Sequence, residues 1–61
     1  MKTSELTRLL SEYGCYFLKH GGEHDTWYSP ITGKKIRVPR HANKEIPTGT
    51  AERIKRDAGI K

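Results

Sequence analysis

His24 is the side chain of this 61-residue chain whose neighbours suit it best for moving protons. It closes the run Gly21-Gly22-Glu23-His24 and is followed by a segment carrying Lys34, Lys35, Arg37 and Arg40. An imidazole titrates near neutrality, so it can serve as either a base or an acid. Cations beside it stabilise negative charge that builds on a phosphorus centre. These parts are the minimum for cutting RNA by transesterification. A base removes the 2′-hydroxyl proton, cations hold the phosphorane oxygens, and an acid protonates the departing 5′-oxygen.

Other catalytic inventories are poorer. His20 sits at a turn edge and His41 in a basic loop. The three histidines lie on separate segments and give no metal-ligand spacing, so neither a metal nor another cofactor is expected. Cys15, the single cysteine, excludes a disulfide framework and a cysteine-based zinc site, and reads as a small core residue. Gly21-Gly22 is a turn and not a phosphate-binding fingerprint, because no helix follows it.

Length and composition set the frame for this chemistry. Residues 1–61 are expected to form one small domain with a thin core, apolar residues being 33% of the chain. The formal charge of +5 is uneven: residues 1–32 carry three Lys/Arg against four Asp/Glu, and residues 33–61 carry nine against three. Such asymmetry points to an anionic partner, nucleic acid first. There is no long apolar run and no leader-like segment, so neither a membrane span nor a signal peptide is expected. The lone thiol fits a reducing cytoplasm.

The elements that must position His24 follow from the pattern. Thr3 or Ser4 caps a first helix, Glu5 favours its positive end, and Leu6, Leu9, Leu10 and Tyr13 form one apolar stripe ending at Gly14. Cys15–Lys19 and His24–Ser29 read as strands joined through Gly21-Gly22, where positive φ is available. Pro30-Ile-Thr-Gly33 is a four-residue turn, and Lys34–Val38 is a third strand ended by Pro39. Arg40–Ile46 is a polar loop. Thr48 caps a last helix in which Ala51, Ile54 and Ala58 face the sheet, Gly59 closes it, and Ile60 folds back on the core. The order is α-β-β-β-α, an α+β architecture with an antiparallel sheet and both helices on one face.

The second hairpin fixes which side chains share a face. A four-residue turn places Ser29 opposite Lys34 and Trp27 opposite Ile36, and opposed residues point the same way. Trp27, Ile36 and Val38 then face the helices, while His24, Thr26, Tyr28, Lys35 and Arg37 share the open side. A one-residue slip would reverse this and expose the tryptophan. In the first hairpin, an uninterrupted ladder puts Lys19 beside His24 but also turns Phe17 to the open side; a bulge would change both.

Several of these segments together resemble a known family. Gly22-Glu23-His24, Val38-Pro39-Arg40-His41, Lys44-Glu45-Ile46-Pro47 followed by Gly49-Thr50, and the closing Ile54…Ala58-Gly59-Ile60 occur in the order found in HicA (YcfA-like) toxins of bacterial HicA–HicB toxin–antitoxin pairs. The resemblance spans nearly the whole chain. It implies a double-stranded-RNA-binding-domain-like fold, a metal-independent mRNA interferase that arrests translation, and a HicB-like antitoxin that covers the active surface. The family's catalytic histidine falls on His24. Glu23 and Asp25 depart from the family pattern, and a carboxylate on either side should favour the imidazolium form.

The residues expected to hold mRNA are Lys19, Gly22, Tyr28, Lys34, Lys35, Arg37, Arg40, His41 and Lys44. The group completing proton transfer opposite His24 is left among His41, Tyr28 and water. A single-stranded or locally unpaired message is the expected substrate, since a full duplex-binding module spans about 16 base pairs. The alternative is a non-catalytic module that binds RNA or docks an acidic partner.

Overall fold

The computed structural model describes residues 1–40 and 45–60. Its elements are α1 (Thr3–Glu12), β1 (Tyr16–His20), β2 (His24–Ser29), β3 (Lys34–Pro39) and α2 (Thr48–Ala58), the expected α-β-β-β-α order. The strands form one antiparallel sheet in the order β1-β2-β3. Across the Pro30–Gly33 turn, Ser29 pairs with Lys34, Trp27 with Ile36 and Asp25 with Val38, so the register is the one that buries the apolar set. Ile36 and Val38 join Leu6 and Leu10 of α1 and Ala51, Ile54 and Ala58 of α2 in one core, which places both helices over the same face. Cys15 and Ile60 complete that core, and Trp27 packs at its margin.

Both helices begin one residue from where a hydroxyl cap would start them. Lys2 occupies the N-cap of α1, and Thr3 lies inside the helix and is buried. The Glu5 carboxylate accepts the Lys2 amide at 3.0 Å, so the acid satisfies a backbone donor that a Thr3 or Ser4 cap would have left to water. In α2 the N-cap is Pro47, whose carbonyl accepts the Ala51 amide at 3.0 Å, and Thr48 is the first helical residue. The apolar stripe of α1 is shorter than expected: Leu6 and Leu10 are buried, whereas Tyr13 is the C-cap and is exposed.

The first hairpin carries a bulge. Phe17 pairs with Trp27 and Lys19 with Thr26, with the register shifting between them at Leu18. One extra residue reverses the alternation. Phe17 therefore lies on the helix side, with its ring centroid 4.9 Å from that of His20 and 6.4 Å from that of Trp27. Tyr16 and Lys19 take the open side. Ile46, read from sequence as part of a polar loop, is a core residue. Its amide donates to the Met1 carbonyl at 2.8 Å, beside a Lys2–Glu45 bridge, which draws this segment against the start of α1.

The far end of α2 is fastened to the β2–β3 turn. Buried Ser29 donates from Oγ to the Ala58 carbonyl at 2.7 Å, and Thr32 Oγ1 donates to the Asp57 carbonyl at 2.7 Å. Helix-terminal carbonyls lack intrahelical partners, so these hydroxyls satisfy orphan acceptors. Gly59 adopts φ +81°, and a Cβ there would come within 2.6 Å of Ile31 Cγ2, so both conformation and space demand glycine. Ser29→Ala leaves a carbonyl unsatisfied in the core and should cost about 1–3 kcal/mol in urea unfolding. The same measurement on Thr32→Val, at an exposed position, should show a smaller loss. Equal stability of Ser29→Ala and parent would contradict this account.

Candidate nucleic-acid interface

His24 opens β2 directly after a tight turn. The Gly21 amide donates to the His24 carbonyl at 2.7 Å, and a Cβ on Gly21 would sit 2.5 Å from that oxygen. Glycine is thus required here by close backbone approach. The expectation of positive φ in this turn is corrected, because the positive-φ glycines are Gly14, Gly33 and Gly59. Gly22 has open space where a side chain would be.

The imidazole position lies at the end of the sheet where both helices begin. His24 is half-buried and lines a depression of about 350 Å³ together with Glu23, Thr3, Pro39, Glu45, Ile46, Pro47 and Thr50. A neighbouring depression joins His24 to Arg37, Arg53 and Thr50. Among the described residues the first turn of α2 has no side-chain cap and no acidic residue of its own, while Glu23 and Glu45 line the depression to which its Thr50 contributes.

From His24 the open face extends in rows. His24 pairs with Pro39; next come Lys19, Thr26 and Arg37; then Tyr16, Tyr28 and Lys35. Lys19 therefore stands one row away from His24, not beside it, because the bulge at Leu18 moves it opposite Thr26. Tyr28 is four residues along the strand, roughly 13 Å from His24 at the usual rise. Lys19, Lys34, Lys35 and Arg37 are exposed, and among the described residues no carboxylate pairs with them. His41 and Lys44 lie outside the described residues.

Asp25 and Arg40 belong to a different cluster. His20 Nδ1 lies 2.8 Å from Asp25 Oδ1, and Arg40 Nε donates to the same oxygen at 3.3 Å. Arg40 also donates from its terminal nitrogen to the Gly21 carbonyl. The His20 hydrogen bond is the main influence holding the Asp25 carboxyl below its ordinary value; partial desolvation opposes it and Arg40 reinforces it. The expectation of a carboxylate acting on His24 from each side is thus corrected: Asp25 is committed to His20 and Arg40, while Glu23 and Glu45 line the His24 depression. Arg40, expected to contact RNA, here braces the β1–β2 turn. Sequence reasoning missed this cluster, although the pairing of His20 with Asp25 across a short turn was its available signal.

Among the described residues no group of three His, Cys, Asp or Glu side chains is placed to hold a metal ion, and no helix is long and apolar enough to cross a membrane. Residues 3–60 match the model of the HicA toxin of bacterial toxin–antitoxin systems. The chain belongs to the HicA toxin family. It is also 39% identical over 61 residues to the probable mRNA interferase HicA 2 of Photorhabdus laumondii subsp. laumondii, covering 100% of both chains. No solved structure matches the chain significantly. Within this HicA frame, the family resemblance carried by Gly22-Glu23-His24 falls at the junction of the cationic sheet face and the α2 N-terminus.

The Asp25 cluster gives a pH test. A carboxyl whose folded pKa is depressed adds stability above its ordinary value of 3.8, and that contribution is lost as pH falls through the lower folded value. Asp25→Asn should therefore be less stable than the parent near neutrality, and the difference should shrink in the acid range below 3.8. Denaturant midpoints across that range check it; a pH-independent difference would contradict it.

Proposed function

We propose that this chain is the toxin of a toxin–antitoxin pair, a metal-independent endoribonuclease that cuts mRNA with His24 and so arrests translation. Family membership and the interferase name of a full-length relative support the activity class. The observation that carries the reading is the position of His24: half-buried at one end of the cationic face and beside the first turn of α2, neither of which has a carboxylate partner or side-chain cap bonded to it among the described residues.

In this mechanism an mRNA strand lies along the open face with one phosphate at the His24 depression. The 2′-hydroxyl loses its proton and attacks the adjacent phosphorus; the phosphorus–5′-oxygen bond breaks and that oxygen takes up a proton. The products are a 2′,3′-cyclic phosphate and a 5′-hydroxyl. His24 performs one of the two proton transfers. Arg37, with the α2 amides, stabilises the extra charge on the phosphorane oxygens. The nucleophile is already part of the substrate, so no activated water is required. A HicB-like antitoxin that covers this face would block the substrate path, and its acidic groups would meet Lys19, Lys35 and Arg37.

His24→Ala should lower cleavage of a mixed-sequence RNA by on the order of 10² to 10⁴, with excess chelator present throughout. Its RNA affinity should stay close to the parent's and weaken as salt rises, because counterions are released on binding. Undiminished cleavage by His24→Ala would overturn the assignment.

A further inference from the structure

We propose that Tyr16 and Tyr28 form a base-stacking subsite for single-stranded RNA, a short stretch of chain away from the cleaved bond. The inference rests on the ribonuclease reading of the same face and adds what that reading leaves open, namely which part of the substrate is held besides phosphate. Tyr16 and Tyr28 are a cross-strand pair on the open side, with ring centroids 5.4 Å apart and planes tilted by 46°. Tyr16 is 50% exposed at the edge-strand end of its row, and Tyr28 beside it on the central strand is half-buried. On the helix side, the neighbouring Phe17–Trp27 pair borders the core; on the open side no helix covers the tyrosines.

Their surroundings select the ligand. Lys35 is paired with Tyr28, and the next row carries Lys19 and Arg37 on either side of Thr26. Aromatic faces interleaved with unpaired cations match a single strand, whose bases offer π-faces while its phosphates track the positive groups. A duplex hides those faces within its stack, so it can use the cations but not the rings. An acidic protein partner would likewise use the cations and gain only incidental contact with the rings. The Tyr28 hydroxyl lies near Gly33, 3.9 Å from where a Cβ there would be.

The test measures binding in the His24→Ala background, so that substrate survives. Three fluorescent probes are compared: a single-stranded mixed-sequence RNA, an abasic strand of equal length and charge, and the corresponding duplex. Tyr16→Leu and Tyr28→Leu should each weaken binding of the base-bearing single strand about tenfold, leaving the abasic strand and duplex unchanged within about twofold. Tyr16→Phe and Tyr28→Phe should retain the parent affinity, because stacking needs the ring and not the hydroxyl. Thermal midpoints of the Leu variants establish that the fold persists; if either fails to fold, NMR of the Tyr16 and Tyr28 ring protons in the His24→Ala protein carries the test. Upfield shifts with the base-bearing strand and not with the abasic strand are expected, and their absence overturns stacking. If the parent with His24 intact cleaves RNA but the Leu variants lose affinity equally for all three probes, or for none, stacking is overturned and the nuclease reading stands. If the parent neither binds nor cleaves RNA, both are overturned.

Discussion

Everything on the working face depends on how β2 is registered against β3. The Pro30–Gly33 turn pairs Trp27 with Ile36, and from that single choice each remaining side chain receives its side. Ile36 and Val38 go inward with the helices; Tyr28, Lys35 and Arg37 go outward. A shift by one residue would bury cations and expose the core, an exchange that no other contact in so small a protein can offset. The register is held at its turn end by Ser29, whose buried hydroxyl connects the sheet to the last carbonyls of α2. The makeup of the open side is thus specified by apolar burial on the other.

The opposite end of the sheet gathers the elements around the proposed site. β2 starts there, β3 ends there, and both helices begin there, so His24 meets Thr3, Pro39 and Thr50 although these residues are far apart in sequence. Two devices hold the entry to β2 in place. Gly21 lets the turn close against the His24 carbonyl, and Arg40 reaches back from beyond β3 to Gly21 and Asp25. The bulge at Leu18 then divides the side chains of β1 unevenly, sending Phe17 and His20 to one side and Tyr16 and Lys19 to the other. An acid, a base and several cations are crowded into a short stretch, yet the fold separates them. Asp25 pairs with His20 and Arg40 on one side, while Lys19, Lys35 and Arg37 lie on the other with no carboxylate partner among the described residues.

The element order, the second hairpin and most of the core were legible in the sequence because each rests on local rules. A four-residue turn dictates a register, and Ala51, Ile54 and Ala58 recur at helical spacing. The helix starts were misplaced because Thr3 and Thr48 are good caps by type, whereas Glu5 and Pro47 made other arrangements available. Ile46 was missed as core since a lone apolar residue among polar neighbours carries no periodicity. The candidate face was legible in part: that Thr26, Tyr28, Lys35 and Arg37 share a side with His24 follows from alternation alone. The bulge does not follow, because both residue sets of β1 are apolar and neither register is penalised locally. Nor was the commitment of Asp25 and Arg40 to His20 and Gly21 visible, since it depends on how closely a turn closes.

The central claim is that RNA is cut by its own 2′-hydroxyl with a histidine moving protons, and the chemical nature of the new ends reports on this most directly. Products made by the purified protein in excess chelator would be resolved by mass spectrometry. The account predicts a 2′,3′-cyclic phosphate, or the 3′-phosphate it opens to, opposite a 5′-hydroxyl. It also predicts that a single 2′-deoxy substitution at the cut nucleotide stops the reaction. Ends carrying a 3′-hydroxyl and a 5′-phosphate, or cleavage that persists at the deoxy position, would contradict it.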